Sequence, residues 1–244
     1  METYTIITGA TSGIGLDLSK KLAEERNIIL VGRSQEKLDM VMSQMSDTHH
    51  RVLTLVCDLN TDRNTLAQTL SAFILSNDIQ VDSMVHCAGT SKVMAIRQSD
   101  TDAVNMIFNV NVLSAIEMVK VLLKKENKGA LKNILLISSL ASVRGEKGNS
   151  IYAASKGALN SLAITLAKEL APKVRVNCIS PGTVESPMTQ AFLSTEAGES
   201  HLKDYPLGVG HCEDITNLAC FLLSDASRWI TGQNIIIDGG RSTL

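Results

Sequence analysis

The sequence of 244 residues predicts a doubly wound α/β fold, in which helices cover both faces of about seven parallel strands. Three observations lead to this prediction. Short β-type runs alternate with helix-length segments along the chain, which is the pattern of a parallel sheet with crossover helices. Several runs are continuously apolar, such as residues 134–137, as expected of strands that are buried on both faces. The first run also ends in a glycine-rich turn, at the edge where such sheets bind ligands.

The elements follow one another as strand, helix, strand, and each has the length that its role in a parallel sheet requires. The predicted strands are residues 3–8, 27–31, 51–57, 81–87, 133–138, 174–180 and 234–237. Parallel strands need a crossover connection, which is usually a helix. The predicted crossover helices are residues 14–25, 34–45, 100–125 and 152–170.

No internal repeat, low-complexity tract or linker interrupts this order, so residues 1–244 are predicted to form one domain. One segment, residues 185–210, departs from the alternation of strands and helices. It contains Pro187, Gly198, Pro206, Gly208 and Gly210, so we expect an irregular excursion there. Long loops in compact domains are usually functional, and this one is predicted to be a substrate lid.

The composition argues against several kinds of partner. A net charge of −2 and an aromatic content of 3% lack the basic and stacking surfaces that nucleic acids need. The five cysteines are scattered without a C-x-x-C pair, so neither a metal site nor a disulfide framework is expected. The first residues do not resemble a signal peptide, and no apolar run approaches the roughly 20 residues that span a bilayer. We therefore expect a cytoplasmic protein without a membrane partner.

A dinucleotide site is predicted at the turn after the first strand, where residues 8–15 read T-G-A-T-S-G-I-G. Glycine lets the backbone approach a pyrophosphate closely, and the N-terminus of the following helix attracts its negative charge. The spacing differs from G-x-G-x-x-G, so a plain strand-to-helix turn is the alternative. The residues predicted to bind the cofactor here are Gly9, Thr11, Ser12, Gly13, Ile14 and Gly15.

The end of the second strand indicates NADP(H) rather than NAD(H). Arg33 and Ser34 stand where an acidic residue is needed to bind the ribose 2′-hydroxyl of NAD. The guanidinium of Arg33 can pair with a 2′-phosphate, although most arginines in such positions are simply solvated. Asp58 and Leu59 follow the third strand, and Asp58 is placed to accept from the adenine amino group, to cap the next helix, or both.

Proton-transfer chemistry is predicted around Tyr152. Lys156 is four residues further on, so both side chains share one face of the predicted helix. A nearby ammonium favours the phenolate and lowers the tyrosine pKa from its usual value of about 10. Ser139 follows the preceding strand and can hold a substrate oxygen against Tyr152. An exposed helix pair and a turn serine are common alternatives, but the combination with the glycine turn predicts a general acid and base.

With these motifs in place, the chain resembles the short-chain dehydrogenases/reductases of about 250 residues over essentially its whole length. The glycine turn reads as that family's T-G-x-x-x-G-I-G, and H-C-A-G at residues 86–89 occupies the place of its N-N-A-G. Asn111 falls at the family's catalytic asparagine. P-G-T-V at 181–184, I-T-G-Q at 230–233 and D-G-G at 238–240 match its later motifs in order.

The resemblance implies a Rossmann-type domain and a role for each matched residue. It implies that Ser139 polarises the substrate carbonyl, that Tyr152 donates or takes the proton, and that Asn111 holds a water. Lys156 is implied to bind the nicotinamide ribose and to lower the pKa of Tyr152. The cofactor carries the hydride. Further cofactor contacts are implied for Cys87, Ala88, Gly89, Tyr152, Pro181, Gly182 and Val184.

The chain departs from the family pattern at two places. His86 and Cys87 replace both asparagines of N-N-A-G, so the side-chain hydrogen bonds made there are expected to be lost and the local stabilisation to be weaker. Val209 stands where P-L-x-R-x-G has arginine, so no argument is built on an arginine at that position.

The sequence therefore predicts hydride transfer between NADP(H) and a ketone or secondary alcohol. In length and end motifs the chain resembles 3-oxoacyl-acyl-carrier-protein reductases, which implies a 3-oxoacyl thioester or similar ketone as substrate. A sugar or steroid alcohol dehydrogenase is the alternative within the family. A non-catalytic NADP-binding sensor is the alternative of another class, against which the complete set of catalytic residues argues. The family's long helices pair between subunits, so a homodimer or homotetramer is expected.

Overall fold

The computed structural model describes residues 2–45 and 48–243, without the side chains at positions 63 and 64. The ends of the predicted domain, residues 1 and 244, lie outside this range. The described strands are β1 (Thr3–Thr8), β2 (Ile28–Gly32), β3 (Val52–Val56), β4 (Gln80–His86), β5 (Asn133–Ile137), β6 (Arg175–Pro181) and β7 (Asn234–Ile237). They form one parallel sheet in the order β3-β2-β1-β4-β5-β6-β7.

Helices connect the strands and cover both faces of the sheet. The described α-helices are α1 (Gly13–Ala23), α2 (Gln35–Ser43), α3 (Arg63–Ser76), α4 (Thr101–Phe108), α5 (Ser114–Leu122), α6 (Ser150–Leu170), α7 (Gln190–Leu193), α8 (Glu196–Leu202) and α9 (Cys212–Leu223). One turn of π-helix, Asn109–Leu113, joins α4 to α5.

The predicted fold class is confirmed, and each predicted strand is present with ends that differ by at most one residue. One predicted helix is corrected: residues 100–125 do not form a single α-helix, because the π turn divides them. The segment 185–210 is also more regular than expected, since α7 and α8 lie within it. Both differences depend on contacts with distant parts of the chain, which a local pattern does not contain.

Two hydrophobic cores lie on opposite faces of the sheet, because successive strand side chains point to opposite sides. Ile6 of β1 packs into the core shared with α3, α5 and α6. Ile7, the next residue, packs into the core shared with α1, α2 and α9. Both side chains are fully buried. This double burial explains why the strands are continuously apolar rather than alternating.

The order in which the strands are added to the sheet reverses at β1. From β1 the chain moves outward to β2 and β3, and it then returns to place β4 on the other side of β1. The loops after β1 and β4 therefore leave the sheet in different directions and open a crevice at its carboxyl edge. Doubly wound sheets bind their ligands at such a switch point.

The stretch Thr101–Leu122 is long and apolar enough to span a membrane by length and composition alone. This differs from the expectation that no apolar run approaches that length. The stretch packs within the helical layer against α3 and α6, and Ile107 and Met118 on it are fully buried. The core helix of a soluble protein meets the same criterion, so the finding is weak evidence for a membrane.

Candidate active site

A cleft of about 660 Å³ opens at the carboxyl edge of the sheet, over the switch point between β1 and β4. It brings together residues from the ends of β1, β4, β5 and β6 and from the start of α6. The predicted site residues that line it are Gly9, Ser12, Gly13, Ile14, Gly15, Cys87, Ala88, Gly89, Ser139, Tyr152, Lys156, Pro181, Gly182 and Val184.

Six predicted site residues do not line this cleft, and each has another local environment. Arg33 is exposed just after β2, and Ser34 caps α2 by accepting from the Lys37 N–H at 3.3 Å. The Asp58 carboxylate accepts from the Asn60 N–H at 2.9 Å, so it closes a turn rather than capping α3. The remaining residues of this group are Thr11, Leu59 and Asn111.

The glycine turn after β1 has the shape of a phosphate cradle. Gly9 has φ of +65°, and a Cβ on it would come within 2.9 Å of the Ala88 backbone, so no other residue fits there. Ser12 caps α1, yet its exposed hydroxyl makes no hydrogen bond to that helix. The unpaired N–H groups at the start of α1 and the free hydroxyl suit an anion. The turn therefore fits the pyrophosphate of a dinucleotide.

Residues 86–89, which replace the family's N-N-A-G, do form a side-chain hydrogen bond. This corrects the expectation that such bonds are lost with the two asparagines. His86 is fully buried, and its Nδ1 lies 2.9 Å from the Thr8 hydroxyl. The same hydroxyl accepts from the Ala88 N–H at 3.1 Å. Burial, together with the charge of Lys156, lowers the pKa of His86 to about 3, so its imidazole is neutral. His86 thus ties the end of β4 to the end of β1.

Lys156 lies on α6 and reaches under the cleft. Its side chain is almost fully buried, and its Nζ donates to the Ile137 carbonyl at 2.7 Å. Nζ also lies 5.8 Å from the centre of the Tyr152 ring. Burial lowers the pKa of Lys156 to about 8, because the ammonium loses its hydration. The amine is therefore poised to exchange a proton near neutral pH.

The pKa of Tyr152 is raised above its usual value, which differs from the lowering that the resemblance implies. Burial has the largest effect, and it outweighs the hydrogen bond with Ser139, which favours the phenolate. The carboxylate of Glu146 raises the pKa further. Tyr152 therefore keeps its proton at neutral pH, as a donor to a carbonyl oxygen must.

Asn111 lies within the π turn and is fully buried. Its amide nitrogen donates to the Thr90 carbonyl at 3.0 Å and to the Ser155 hydroxyl at 2.9 Å. Its amide oxygen accepts from the Thr90 N–H at 2.8 Å. The side chain thus joins the loop after β4 to α6, next to Lys156. π turns interrupt helices most often at functional sites.

Cys87 partly faces the cleft, and burial raises the pKa of its thiol to about 12. A thiol with so high a pKa is a poor nucleophile and metal ligand. All five cysteines are free. Within residues 2–45 and 48–243, no group of three His, Cys, Asp or Glu side chains is arranged to hold a metal ion.

One end of the cleft, beside the segment 185–210, contains polar residues that the sequence analysis did not identify. Arg241 donates from Nη1 to Glu146 Oε1 at 2.8 Å, to His201 Nε2 at 2.7 Å and to the Tyr205 hydroxyl at 3.0 Å. Arg144 donates to the Arg241 carbonyl. These five residues come from three segments that are distant in the sequence, so no local motif marks them. We call them the polar end of the cleft.

The segment 185–210 contributes one wall of this end. His201 on α8 packs edge-on against Phe192 of α7, with ring centres 5.2 Å apart. Tyr205 follows α8 and is buried, and its hydroxyl donates to Thr183 Oγ1 at 2.8 Å. Thr183 follows β6, so this bond fixes the segment against the sheet. Phe192, His201 and Tyr205 all line the cleft.

Comparisons with known proteins agree over nearly the whole chain. A family model described as enoyl-(acyl carrier protein) reductase matches residues 9–242. The 3-oxoacyl-[acyl-carrier-protein] reductase of Thermotoga maritima is 33% identical over 241 residues, covering 96% of each chain. The L-xylulose reductase of Bos taurus is 32% identical, covering 96% of this chain and 94% of that one. A solved structure of 4-hydroxyisoleucine dehydrogenase complexed with NADH is 26% identical, with a TM-score of 0.90 and 99% of each chain covered.

Proposed function

Because the chain belongs to the short-chain dehydrogenase/reductase family of oxidoreductases, which use nicotinamide cofactors, we propose that it transfers a hydride between NADP(H) and a ketone or secondary alcohol. One observation carries the proposal. Ser139, Tyr152 and Lys156 line the same cleft as the glycine turn after β1, so a proton donor faces a dinucleotide cradle.

The residues of the cleft fit a nicotinamide dinucleotide. The turn at residues 9–15 would hold the pyrophosphate, and the backbone of residues 87–89 would lie along the adenosine ribose. Lys156 would bind the nicotinamide ribose, and Pro181, Gly182 and Val184 would hold the carboxamide. Arg33 would reach the 2′-phosphate from its exposed position after β2. When bound, the cofactor supplies the hydride.

The catalytic residues would act through proton transfer and orientation. The Ser139 hydroxyl, which lines the cleft with Tyr152, would donate to the substrate carbonyl and fix it beside the phenol. Tyr152, kept protonated by burial, would donate its proton to the carbonyl oxygen in reduction. Lys156 would then return a proton to Tyr152. Both amide hydrogens of Asn111 are engaged and its amide oxygen accepts from Thr90, so a water on its main-chain carbonyl would leave these bonds intact.

For the substrate, we favour a 3-oxoacyl thioester or a similar ketone, since a relative over nearly the full length has the name of a 3-oxoacyl reductase. A sugar alcohol is the alternative, supported by the likeness to an L-xylulose reductase, and a steroid alcohol is a further one. A sensor without turnover would not need the proton donor and its lysine. We also propose that residues 185–210 act as the substrate lid, that residues 1–244 form one functional unit, and that the protein is cytoplasmic.

The proposal is tested by replacing the proton donor. We expect Tyr152→Phe to lower kcat with NADPH and a short ketone by at least about 100-fold, since a positioned acid contributes that much or more. NADPH binding, followed by fluorescence, should be unchanged. Tyr4→Phe, on β1 and away from the cleft, is the matched control and should keep full activity.

Two results would contradict the proposal. A Tyr152→Phe variant with unchanged kcat would remove Tyr152 from the proton transfer. Wild-type protein that binds NADPH without turnover of any thioester, oxo acid, sugar or steroid would favour the sensor instead.

A further inference from the structure

The polar end of the cleft has an excess of positive charge in a chain whose net charge is −2. Arg144 and Arg241 are its cations and Glu146 is its anion, and the neighbouring Lys147 adds a further positive charge to the cleft lining. His201 adds no charge, because burial and the neighbouring Arg241 lower its pKa. Such a cleft raises the local concentration of anionic ligands.

Arg241 is largely compensated by the protein itself. Its side chain is 8% exposed, Nη1 lies 2.8 Å from Glu146, and Nη2 lies 3.7 Å from Asp204. Its guanidinium also lies over the Tyr205 ring, 5.0 Å from the ring centre. Arg241 thus links Glu146 to the segment 185–210, and these contacts hold its side chain in place as one wall of the polar end. Its buried Nε has no hydrogen-bond partner among the described residues.

Arg144 differs from Arg241 in having no carboxylate to neutralise it. Among the residues that the structure describes, none offers a carboxylate oxygen within 4.0 Å of its guanidinium. Its Nη1 donates to the Arg241 carbonyl, which anchors one edge of the planar group. The side chain is half-buried and lines the cleft. A guanidinium has five N–H donors, and two of those that remain can form parallel bonds to a carboxylate.

A long apolar acyl chain does not suit this end of the cleft. It would lie against Arg241, Glu146 and His201 and remove their remaining hydration without replacing it. Apolar contact is available from Val93, Met188 and Phe192 on the walls, which is enough for a short carbon skeleton. The lining therefore favours a short substrate with a charged end.

We propose that Arg144 binds the carboxylate of a short oxo acid, or of the corresponding hydroxy acid, while Ser139 and Tyr152 hold its carbonyl or hydroxyl oxygen. This inference rests on the proposed hydride transfer. Within that reaction it assigns a free oxo acid as the substrate, in place of the 3-oxoacyl thioester that the name of a relative supports. The carboxylate pairs with the Arg144 guanidinium, and the wall formed by Arg241 and Glu146 limits the length of the substrate.

The test uses three probes that share one ketone: acetoacetate, methyl acetoacetate and the N-acetylcysteamine thioester of acetoacetate. Only the first is anionic. We expect wild-type protein with NADPH to have a KM for acetoacetate at least about tenfold below that for either neutral probe. A tenfold difference is about what one charge-assisted hydrogen bond contributes. Arg144→Gln should raise the KM for acetoacetate about tenfold or more and change the other two less than about twofold.

Two further variants separate charge from shape and from general effects. Arg144→Lys keeps the charge but loses the planar fork, so it should recover part of the preference for acetoacetate. Arg97→Gln removes an exposed arginine outside the cleft lining and should leave all three KM values unchanged. Circular dichroism of each variant checks that it is folded.

Calorimetric titration with 3-hydroxybutyrate and its methyl ester, with and without NADP⁺, separates this inference from the proposed function. Binding of the acid that needs Arg144, without turnover of any ketone, would support the subsite and overturn the reaction. Turnover with equal KM values for acid and neutral probes, or an equal loss on all probes in Arg144→Gln, would overturn the subsite and leave the reaction standing.

Discussion

The Thr8 hydroxyl joins two neighbouring strands by two hydrogen bonds, one with His86 and one from Ala88. The family's asparagines are absent here, and an imidazole supplies the connection instead. Its ring also lies beside the backbone of Val110 and Asn111, although none of the described residues forms a hydrogen bond with its Nε2. The buried, neutral imidazole of His86 therefore connects the ends of β1 and β4 and also lies against the π turn.

The neutrality of His86 predicts a pH dependence of stability. The pKa is lowered from 6.5 to about 3 in the folded protein, so below pH 6.5 the unfolded chain binds a proton that the folded protein does not. The stability that the neutral imidazole contributes is fully present above pH 6.5, and it is lost as the pH falls toward about 3. His86 should therefore lower the free energy of unfolding by about 2 kcal/mol between pH 7 and pH 5.

Urea unfolding at several pH values measures this effect. In His86→Gln, which keeps a hydrogen-bonding side chain but does not titrate, the loss between pH 7 and pH 5 should shrink by that amount. His49→Gln, at an exposed histidine, is the control and should behave like wild type. An unchanged slope in His86→Gln would mean that the imidazole is protonated in the folded protein.

The expected preference for NADP(H) over NAD(H) rests on Arg33. Its exposed guanidinium makes no ion pair with any described residue, so it is free to meet a 2′-phosphate. We expect Arg33→Gln to raise the Kd for NADPH about tenfold and to leave the Kd for NADH unchanged, because only NADPH has that phosphate. Lys37→Gln, nearby on α2, controls for general loss of charge. Equal affinity of wild-type protein for the two cofactors would contradict this prediction.

At the scale of elements, the π turn explains why residues 100–125 are not one regular helix. An extra residue within the helix lets Asn111 turn toward Thr90 and Ser155, while α5 keeps its apolar face in the core and α4 packs against α6. The hydrophobic pattern on either side of the turn is helical, so it predicted a helix of nearly the right length. The inserted residue depends on partners in the loop after β4 and in α6, which that pattern does not record.

The segment 185–210, proposed above as a lid, depends on close packing between its two short helices. A Cβ on Gly198 would come within 2.9 Å of Leu193 Cα, against the backbone at the end of α7. We expect Gly198→Ala to push α8 away from α7 and shift Phe192 and His201, since backbone atoms do not yield easily. The KM for a ketone should rise several-fold, while the Kd for NADPH, whose cradle lies at β1, should not change.

Steady-state kinetics and a fluorescence titration measure the two constants. Glu199→Ala changes the next residue on the same helix, which is exposed, and it should have neither effect. If Gly198→Ala weakened NADPH binding as much as ketone binding, the segment would serve the whole cleft and not the substrate alone.

At the scale of the whole molecule, the sheet order places every cleft-lining strand end on one edge. β1, β4, β5 and β6 are neighbours in the sheet, although they are spread over residues 3–181 in the sequence. Parallel direction then puts all their carboxyl ends together. The catalytic arrangement thus follows from topology, once each strand ends at the correct residue.

The expected association of two or four chains also belongs to this scale. Ile164 on α6 is 48% exposed, on one of the long helices predicted to pair between subunits. We expect light scattering to give the mass of a dimer or tetramer, and Ile164→Glu to reduce it while the circular dichroism is kept, because a buried unpaired carboxylate is costly. Leu75→Glu, at a residue 61% exposed on α3, is the control. A wild-type monomer would contradict the prediction.

The sequence by itself determined the fold class, the strand ends and the glycine turn. These features rest on local spacing: apolar runs, turn glycines, and a tyrosine and a lysine four residues apart on a helix. Gly9, Ser139, Tyr152 and Lys156 accordingly line one cleft, as their positions at strand ends and on the following helix predicted.

Only the tertiary structure decided the pKa values in the cleft and the residues that form the polar end of the cleft. Burial raised the pKa of Tyr152, although its spacing from Lys156 alone predicted a lower value. Arg144 meets the carbonyl of Arg241, 97 residues away in the chain. Desolvation and contacts between distant segments arise only when the chain is packed, so neither a motif nor a periodicity contains them.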